Sequence, residues 1–202
     1  APPLSAPAQT GSAELFAAQL MSKHVAPFLV SAMSDSAAAV VVGAVRQHLG
    51  SKKRPVIEAY VEAHVIAELL KLLSSPQSTV REDSLGCLVI VAASSSSNRD
   101  AVILQSCGEA AVLVSFLSLL ISSGDNSLIV GVLHLLQGIV TAGRDQCAGQ
   151  APNPCFTLLE RHGFSDAMIS LQASDDADVR RVASDCILKC EVLQNVMAEL
   201  QA

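Results

Sequence analysis

Residues 98–142 decide the fold of this chain, and they read NRDAVILQSCGEAAVLVSFLSLLISSGDNSLIVGVLHLLQGIVTA. A polar start at Asn98 leads into a short segment that stops at Gly108. An apolar run at 113–120 follows, and a turn of small and polar residues at 122–126 separates it from a longer apolar segment. Glycine and polar turn residues mark helix ends in this way. The stretch therefore predicts three consecutive α-helices, of which the last is the longest.

The same order of segments occurs twice more, in residues 53–97 and in residues 154–195. When His64, Gly108 and Gly163 are taken as equivalent positions, apolar residues recur five, six and eight positions after each of them. The first two positions are 44 residues apart and the next two are 55 apart. Helical repeats have periods of about this length, and we assign the extra length of the second interval to a loop insertion at 143–153.

Each long helix is predicted to bury one apolar stripe. Residues at relative positions 0, 4, 8 and 11 lie on one face of an α-helix. In the three units these residues are Val80, Ser84, Leu88 and Val91; Leu128, Val132, Leu136 and Ile139; and Val179, Ala183, Ile187 and Cys190. The shared register indicates that the three long helices pack in the same way.

The first part of the chain fits the pattern less well. Residues 1–12 contain three prolines and small polar residues and are predicted to form an extended tail. Residues 13–50 are interpreted as a degenerate first repeat, since terminal repeats are often atypical. The sequence thus predicts an all-α domain at 13–202 with about four three-helix repeats, approximately at 13–50, 53–97, 98–147 and 154–195.

This pattern resembles the armadillo repeat family. Asn98, Gly108 and the run 113–120 match that family's polar start, its glycine between the first two helices and its leucine-rich second helix. The resemblance covers about 150 residues, and HEAT-type repeats are the alternative. It implies a right-handed superhelix of α-helices, an armadillo-like solenoid, whose third helices line a concave groove that holds a peptide or a partner protein.

The resemblance also implies which residues face the groove. The nuclear-import adaptors of the family carry a Trp and an Asn one turn apart on each third helix, and these clamp a basic peptide. The corresponding positions here are Gly86 and Ile90, His134 and Gly138, and Asp185 and Lys189. None of them matches, so import-adaptor function is not expected. Their small and apolar character in the first two units predicts a protein partner that presents an apolar face.

Composition argues against several classes of ligand. The formal net charge is −6, and only 13 residues are Lys or Arg, whereas nucleic-acid affinity depends on clustered basic residues. The basic run 52–54 is interpreted as favourable charge at the C-terminus of a preceding helix, and the acidic run 175–178 as favourable charge before a following one. The longest apolar stretch is assigned to 110–121, which is too short for a bilayer that needs about 20 residues. We therefore expect no nucleic-acid partner and no membrane insertion.

The sequence contains no recognisable catalytic motif. Neither a G-x-S-x-G nucleophile elbow nor a P-loop is present. The chain is therefore predicted to be no enzyme, with no cofactor, no metal and no small-molecule substrate. The six cysteines are interpreted as reduced core residues of a cytoplasmic protein. The alternatives are a zinc site at Cys186 and Cys190 or at Cys147, Cys155 and His162, and a disulfide between Cys147 and Cys155.

Two functions remain open at this level. The first is a non-catalytic scaffold or adaptor that binds a partner protein through the concave groove, within a multi-protein complex. The second is a structural subunit of a large permanent assembly, such as a cytoskeletal or flagellar lattice. The mean hydropathy of +0.44 supports the second, because a short solenoid with so apolar a composition leaves surface that favours burial. Localisation is expected to be cytoplasmic, with a cytoskeletal or flagellar association in the second case.

Overall fold

A computed structural model of the chain describes residue 20 and residues 24–33, 37–107, 109–146 and 153–200, with the side chains of 144–146 and 190–200 outside the description. The predicted tail at 1–12 and the glycine at 108 lie outside the described residues. The described part is helical throughout. Its helices are α1 (Ala26–Ala32), α2 (Ala38–Gly50), α3 (Arg54–Glu62), α4 (Val65–Leu72), α5 (Ser78–Ser94), α6 (Ser96–Ser106), α7 (Ala110–Ser122), α8 (Asn126–Gln146), α9 (Pro154–Arg161), α10 (Phe164–Gln172) and α11 (Ala177–Leu200).

The helices form a right-handed superhelix of stacked repeats, and the predicted all-α solenoid is confirmed. The long helices α2, α5, α8 and α11 pack side by side in chain order. The second helices α4, α7 and α10 each pack against the long helix of the same repeat, and the first helices α3, α6 and α9 contact both layers. One continuous apolar core runs through all of the repeats, as expected when each repeat buries its apolar face against its neighbours.

The stripes predicted on the long helices form the centre of this core. All four stripe residues of α5 and all four of α8 are buried, and so are Val179 and Ala183 of α11, whereas Ile187 is partly buried. The side chain of Cys190 lies outside the described residues. The spacing of these residues along each helix was therefore sufficient to identify the buried face.

In the second and fourth repeats, the first and second helices are separated by a residue with left-handed backbone. His64 has φ 63° and Gly163 has φ 84° at the two equivalent positions. Glycine adopts this conformation without steric cost, whereas a residue with a Cβ atom does not. The alignment of His64 with Gly163 in the sequence therefore reflects a shared backbone requirement, which the second repeat meets with an exposed histidine.

Side-chain caps set several helix starts. Asn153 accepts hydrogen bonds from the backbone of Cys155 and Phe156 at the start of α9. Asp176 accepts from the backbone of Asp178 and Val179 at the start of α11, which lowers the pKa of its carboxyl. The acidic run at 175–178 thus caps a helix, as the sequence predicted.

The predicted loop at 143–153 needs correction. Helix α8 continues through Gln146, and residues 147–152 lie outside the described part of the chain. Gly143 is buried inside the helix, and a Cβ atom there would lie 2.7 Å from Oδ1 of Asn153 and 3.1 Å from Sγ of Cys155. This glycine therefore permits the start of α9 to approach α8 closely, so that it has a packing role inside a helix and does not begin a loop.

Candidate concave groove

Two adjoining cavities lie along the face formed by the long helices. The first, which we call the N-terminal cavity, has a volume of about 580 Å³ and lies between α2, α3, α5 and the start of α8. The second, the C-terminal cavity, has a volume of about 770 Å³ and lies between α5, α6, α8 and Lys189 of α11. Val89 and Ala93 of α5 line both cavities. The two cavities therefore form one continuous groove.

Five of the six residues predicted to face a partner line this groove. Gly86 and Ile90 line the N-terminal cavity, whereas His134, Gly138 and Lys189 line the C-terminal cavity. Asp185 lines neither cavity. It is exposed, and one of its carboxylate oxygens lies 3.7 Å from Nη1 of Arg181 on the same helix.

The two glycines form part of the groove floor and are closely covered. A Cβ atom at Gly86 would lie 3.0–3.4 Å from atoms of the Arg46 guanidinium. A Cβ atom at Gly138 would lie 2.3 Å from Cδ1 of Ile103. A neighbouring side chain thus packs directly on the backbone at each glycine, and the sequence pattern contained no sign of this. Contact of these glycines with a partner stays a prediction.

His134 is exposed in the C-terminal cavity and lies near three basic side chains. Its pKa is lowered from the usual value of 6.5, first by partial burial and further by Arg181, Lys189 and Arg99, while hydrogen bonding to Gln137 acts in the opposite direction. Nζ of Lys189 donates a hydrogen bond to Oε1 of Gln137 at 3.3 Å. The lowered pKa favours the neutral imidazole, in an environment that already contains several positive charges.

Basic side chains are the main feature of the groove that sequence analysis missed. Arg46, Lys52 and Arg54 line the N-terminal cavity, and Arg99 and Lys189 line the C-terminal cavity. Of these, only Lys189 had been predicted. The run 52–54 does follow the C-terminus of α2, as interpreted, but two of its side chains also border the groove. Arg99 had no distinguishing signal in the sequence, because its position depends on how α6 packs on α8.

Two hydroxyl groups in the groove donate hydrogen bonds to the backbone of their own helices. Oγ of Ser94 donates to the carbonyl of Val91, and Oγ1 of Thr141 donates to the carbonyl of Gln137 at 2.8 Å. Neither of these two hydroxyls is hydrogen-bonded to a basic side chain that would activate it as a nucleophile. Within the described residues, no three His, Cys, Asp or Glu side chains cluster as metal ligands would.

The described cysteines are free thiols. Cys87, Cys155 and Cys186 are buried and Cys107 is partly buried. Burial raises the pKa of Cys87 to about 12 and, together with the nearby Cys155, that of Cys107 to about 11. Such thiols react slowly as nucleophiles. Cys147 and the side chain of Cys190 lie outside the described residues, so the disulfide and zinc alternatives that involve them stay untested.

One helix is longer and more apolar than the sequence analysis recognised. Residues 126–143 of α8 have the length and composition of a segment that could cross a membrane, and half of that segment is buried inside the structure. The stretch predicted to be the longest apolar one, 110–121, is shorter than this segment. A core helix that packs against α5, α7 and α11 has the same apolar composition, because it is covered on several sides.

Comparison with known proteins supports the fold alone. No family model matches the sequence, and no curated protein matches it. Among solved structures, a computationally designed armadillo repeat protein for modular peptide recognition matches 96% of this chain and 83% of its own, with a TM-score of 0.57 and 16% identity. An engineered protein matches 90% of this chain and 93% of its own, with a TM-score of 0.51 and 14% identity.

These likenesses and the stacked repeats define the class. The chain has an armadillo-like helical repeat fold, as the sequence resemblance implied. It is an α-solenoid with a groove along its long helices.

Proposed function

We propose that this protein is a non-catalytic adaptor that holds a segment of a partner protein in the concave groove. The observation that carries the proposal is the continuity of the groove across repeats. Val89 and Ala93 join the two cavities, so that a single extended or helical segment can contact α2, α5, α8 and α11 together. Solenoids use extended concave surfaces of this kind to bind partners.

The chemistry of the groove supports binding over catalysis. Its lining alternates aliphatic side chains with charged side chains, which together provide apolar contact and orientation. The two hydroxyls described above are bonded to backbone carbonyls. Partial burial and three nearby cations lower the pKa of His134, and they therefore disfavour the imidazolium that a general base must form.

The test uses a substitution that fills the groove without disturbing the core. Ala93 is exposed and lines both cavities, so Ala93→Trp places a large side chain at their junction. Ala111→Trp is the matched control, because Ala111 is exposed on α7 and lines neither cavity. Gly86 and Gly138 are unsuitable for this purpose, since a side chain as large as Trp at either position would displace the neighbouring side chain that covers its backbone.

We expect wild type and Ala111→Trp to retain the same partner in affinity purification from lysate of the source cells, and Ala93→Trp to lose it. Circular dichroism should show equal helicity in all three proteins. If Ala93→Trp retained every partner and Ala111→Trp lost one, the result would falsify the proposal that the groove binds the partner. The binding surface would then lie on the second helices.

A second function, structural subunit of a large permanent assembly, is supported by apolar residues on other surfaces. Phe28 is 70% exposed and Val40 is 77% exposed near the N-terminal end of the stack. Other large exposed side chains lie on α7, α10 and α11: Ile121, Ile169 and Leu188. Such residues favour contact with neighbouring subunits.

The two functions differ in the behaviour of the purified chain. An adaptor sediments as a monomer over a wide concentration range, whereas a lattice subunit self-associates, and Phe28→Ser with Val40→Ser should then restore the monomer. The expected localisation also differs between the adaptor and the lattice subunit. We propose a cytoplasmic protein, with a cytoskeletal or flagellar pattern of a fluorescently tagged chain expected only for the lattice subunit.

A further inference from the structure

The groove has a charge opposite to that of the whole molecule. The chain contains 19 acidic and 13 basic residues. In contrast, five basic side chains line the two cavities and only two carboxylates, Asp100 and Asp125, do so. A groove in which cations predominate, on a protein with an excess of carboxylates, is complementary to a negatively charged ligand.

Three of these cations are available to a ligand. Arg46 pairs with Asp83, and Arg54 pairs with Glu58 on its own helix. Lys52, Arg99 and Lys189 are exposed and have no carboxylate within ion-pair distance among the described residues. The two cavities therefore present at least one unpaired cation each.

Apolar side chains lie between the charged ones. The C-terminal cavity includes Ile103 and Leu104, and Leu104 is 60% exposed although it is a large aliphatic residue. Val89 continues the apolar surface into the N-terminal cavity, where Ile90 also contributes. A ligand that covers this surface must combine negative charge with aliphatic groups.

We infer, on the basis of the proposed function, that the groove binds an acidic peptide segment in which aliphatic residues alternate with Asp or Glu. Packed helices lie about 8–10 Å apart, so four long helices span about 30 Å, which is about nine residues of extended peptide. The carboxylates of the segment pair with Lys52 at one end and with Arg99 and Lys189 at the other, while its aliphatic residues contact Val89, Ile103 and Leu104.

A nucleic acid is the other polyanion to consider, and the lining disfavours it. Single-stranded nucleic acid binds where aromatic side chains stack on the bases between backbone-contacting cations. The residues that line the two cavities in the described part of the chain are aliphatic, small, polar or charged, with His134 as the only ring. Aliphatic surface between cations suits peptide side chains better.

The experiment is a selection from a display library of random twelve-residue peptides on the wild-type protein, with removal of every peptide that also binds Ala93→Trp. We expect the remaining peptides to be enriched in Asp and Glu and to contain Leu, Ile or Val. Groove-dependent peptides that are neutral or basic would overturn this inference but leave the proposed function intact. Failure to recover any groove-dependent peptide would overturn both.

Charge reversal then tests the assigned cations with one synthetic, fluorescently labelled peptide from the selection. Arg99→Glu with Lys189→Glu should weaken binding by about tenfold or more, which is about 1.4 kcal/mol, since two attractions become repulsions. The matched control is Lys71→Glu with Arg161→Glu, which changes the net charge equally at exposed residues outside the groove. An equal loss of peptide affinity in the control variant would show that binding depends on the overall charge of the protein, and it would overturn the assignment of Arg99 and Lys189 as the binding cations.

A labelled single-stranded oligonucleotide of twelve nucleotides serves as the competing ligand. We expect it to bind more weakly than the selected peptide at physiological salt. The oligonucleotide could instead bind more tightly than the peptide, with binding abolished by Arg99→Glu with Lys189→Glu and unaffected by Lys71→Glu with Arg161→Glu. That result would assign the groove to nucleic acid and overturn the inference of an acidic peptide ligand.

Discussion

The two halves of the groove use basic residues in different ways. In the N-terminal half, Arg46 of α2 lies over Gly86 and pairs with Asp83, so its charge joins α2 to α5. In the C-terminal half, Arg99 and Lys189 have no such carboxylate partner in the described structure. The N-terminal half therefore uses one cation, Arg46, for helix packing and leaves Lys52 unpaired, whereas the C-terminal half keeps both of its cations available at the surface.

The two halves of the groove also differ in how freely the side chain that covers a floor glycine can move. Gly86 faces a flexible guanidinium in the N-terminal half. In the C-terminal half, a Cβ atom at Gly131 would lie 2.3 Å from Cγ1 and 3.0 Å from Cγ2 of Val89, a side chain that branches at Cβ and has little freedom to move. The comparison teaches that the approach of α8 to α5 depends on a glycine, and that the approach of α2 to α5 does not.

The largest expected effect separates these two glycines. Gly131→Ala should destabilise the protein by about 1–2 kcal/mol, because overpacking costs about 1–3 kcal/mol and the better helix propensity of Ala returns at most about 1. Gly86→Ala should be neutral or slightly stabilising, since the Arg46 side chain can shift. Urea unfolding followed by circular dichroism measures both, and equal values for the two variants would contradict the comparison.

The next effect concerns the two residues with left-handed backbone, His64 in the second repeat and Gly163 in the fourth. Gly163→His should destabilise the fourth repeat by about 1 kcal/mol, because left-handed backbone disfavours a Cβ atom. His64→Gly should change stability by less than about 0.5 kcal/mol, since relief of strain is offset by the greater freedom of glycine in the unfolded chain. Thermal unfolding of both variants tests this, and stabilisation by Gly163→His would show that the backbone at 163 is not held left-handed.

A smaller effect tests the ion pair directly. A double-mutant cycle on Arg46→Ala and Asp83→Ala should give a coupling free energy of about 0.5–1 kcal/mol, the range for partly exposed pairs. The same cycle on Lys189→Ala and Asp185→Ala should give a value close to zero, since these two side chains are not paired. A larger coupling free energy for Lys189 and Asp185 than for Arg46 and Asp83 would show that the C-terminal half has the paired cation, which contradicts the comparison.

The smallest effect is the pH dependence of His134. Its pKa is lower in the folded protein than the usual 6.5, so the unfolded chain binds more protons as the pH falls. Stability is therefore lost as the pH drops from about 6.5 toward the folded pKa. His134→Gln should remove this part of the acid sensitivity, measured as a smaller shift of the urea midpoint between neutral and mildly acidic pH. If the shift of the urea midpoint were the same in His134→Gln as in the wild type, the acid sensitivity would arise from other groups.

Local regularities in the sequence predicted much of the fold. The stripes at Val80 to Val91 and Leu128 to Ile139 repeat with helical spacing, and the structure buries them. His64 and Gly163 aligned because the chain needs a left-handed residue at both positions. The loop predicted to begin at Gly143 is wrong, since a glycine that ends a helix and a glycine inside a helix that admits a neighbour have the same sequence signature.

The candidate groove was only partly predictable. The family register brought five of its residues together, including His134 and Lys189. It did not identify Arg46 or Arg99, because their positions depend on contacts between helices that are far apart in sequence. The registers of single helices contain no information about such distances.

The amino-acid sequence by itself determined the helical repeats, their apolar faces and the residues that separate one helix from the next, because each of these depends on interactions within about four residues along the chain. Only the tertiary structure decided which cations are paired, which glycines are covered and where the two cavities join. The physical reason is distance: ion pairing and close packing act over a few ångströms between atoms on different repeats, and only folding brings those atoms together.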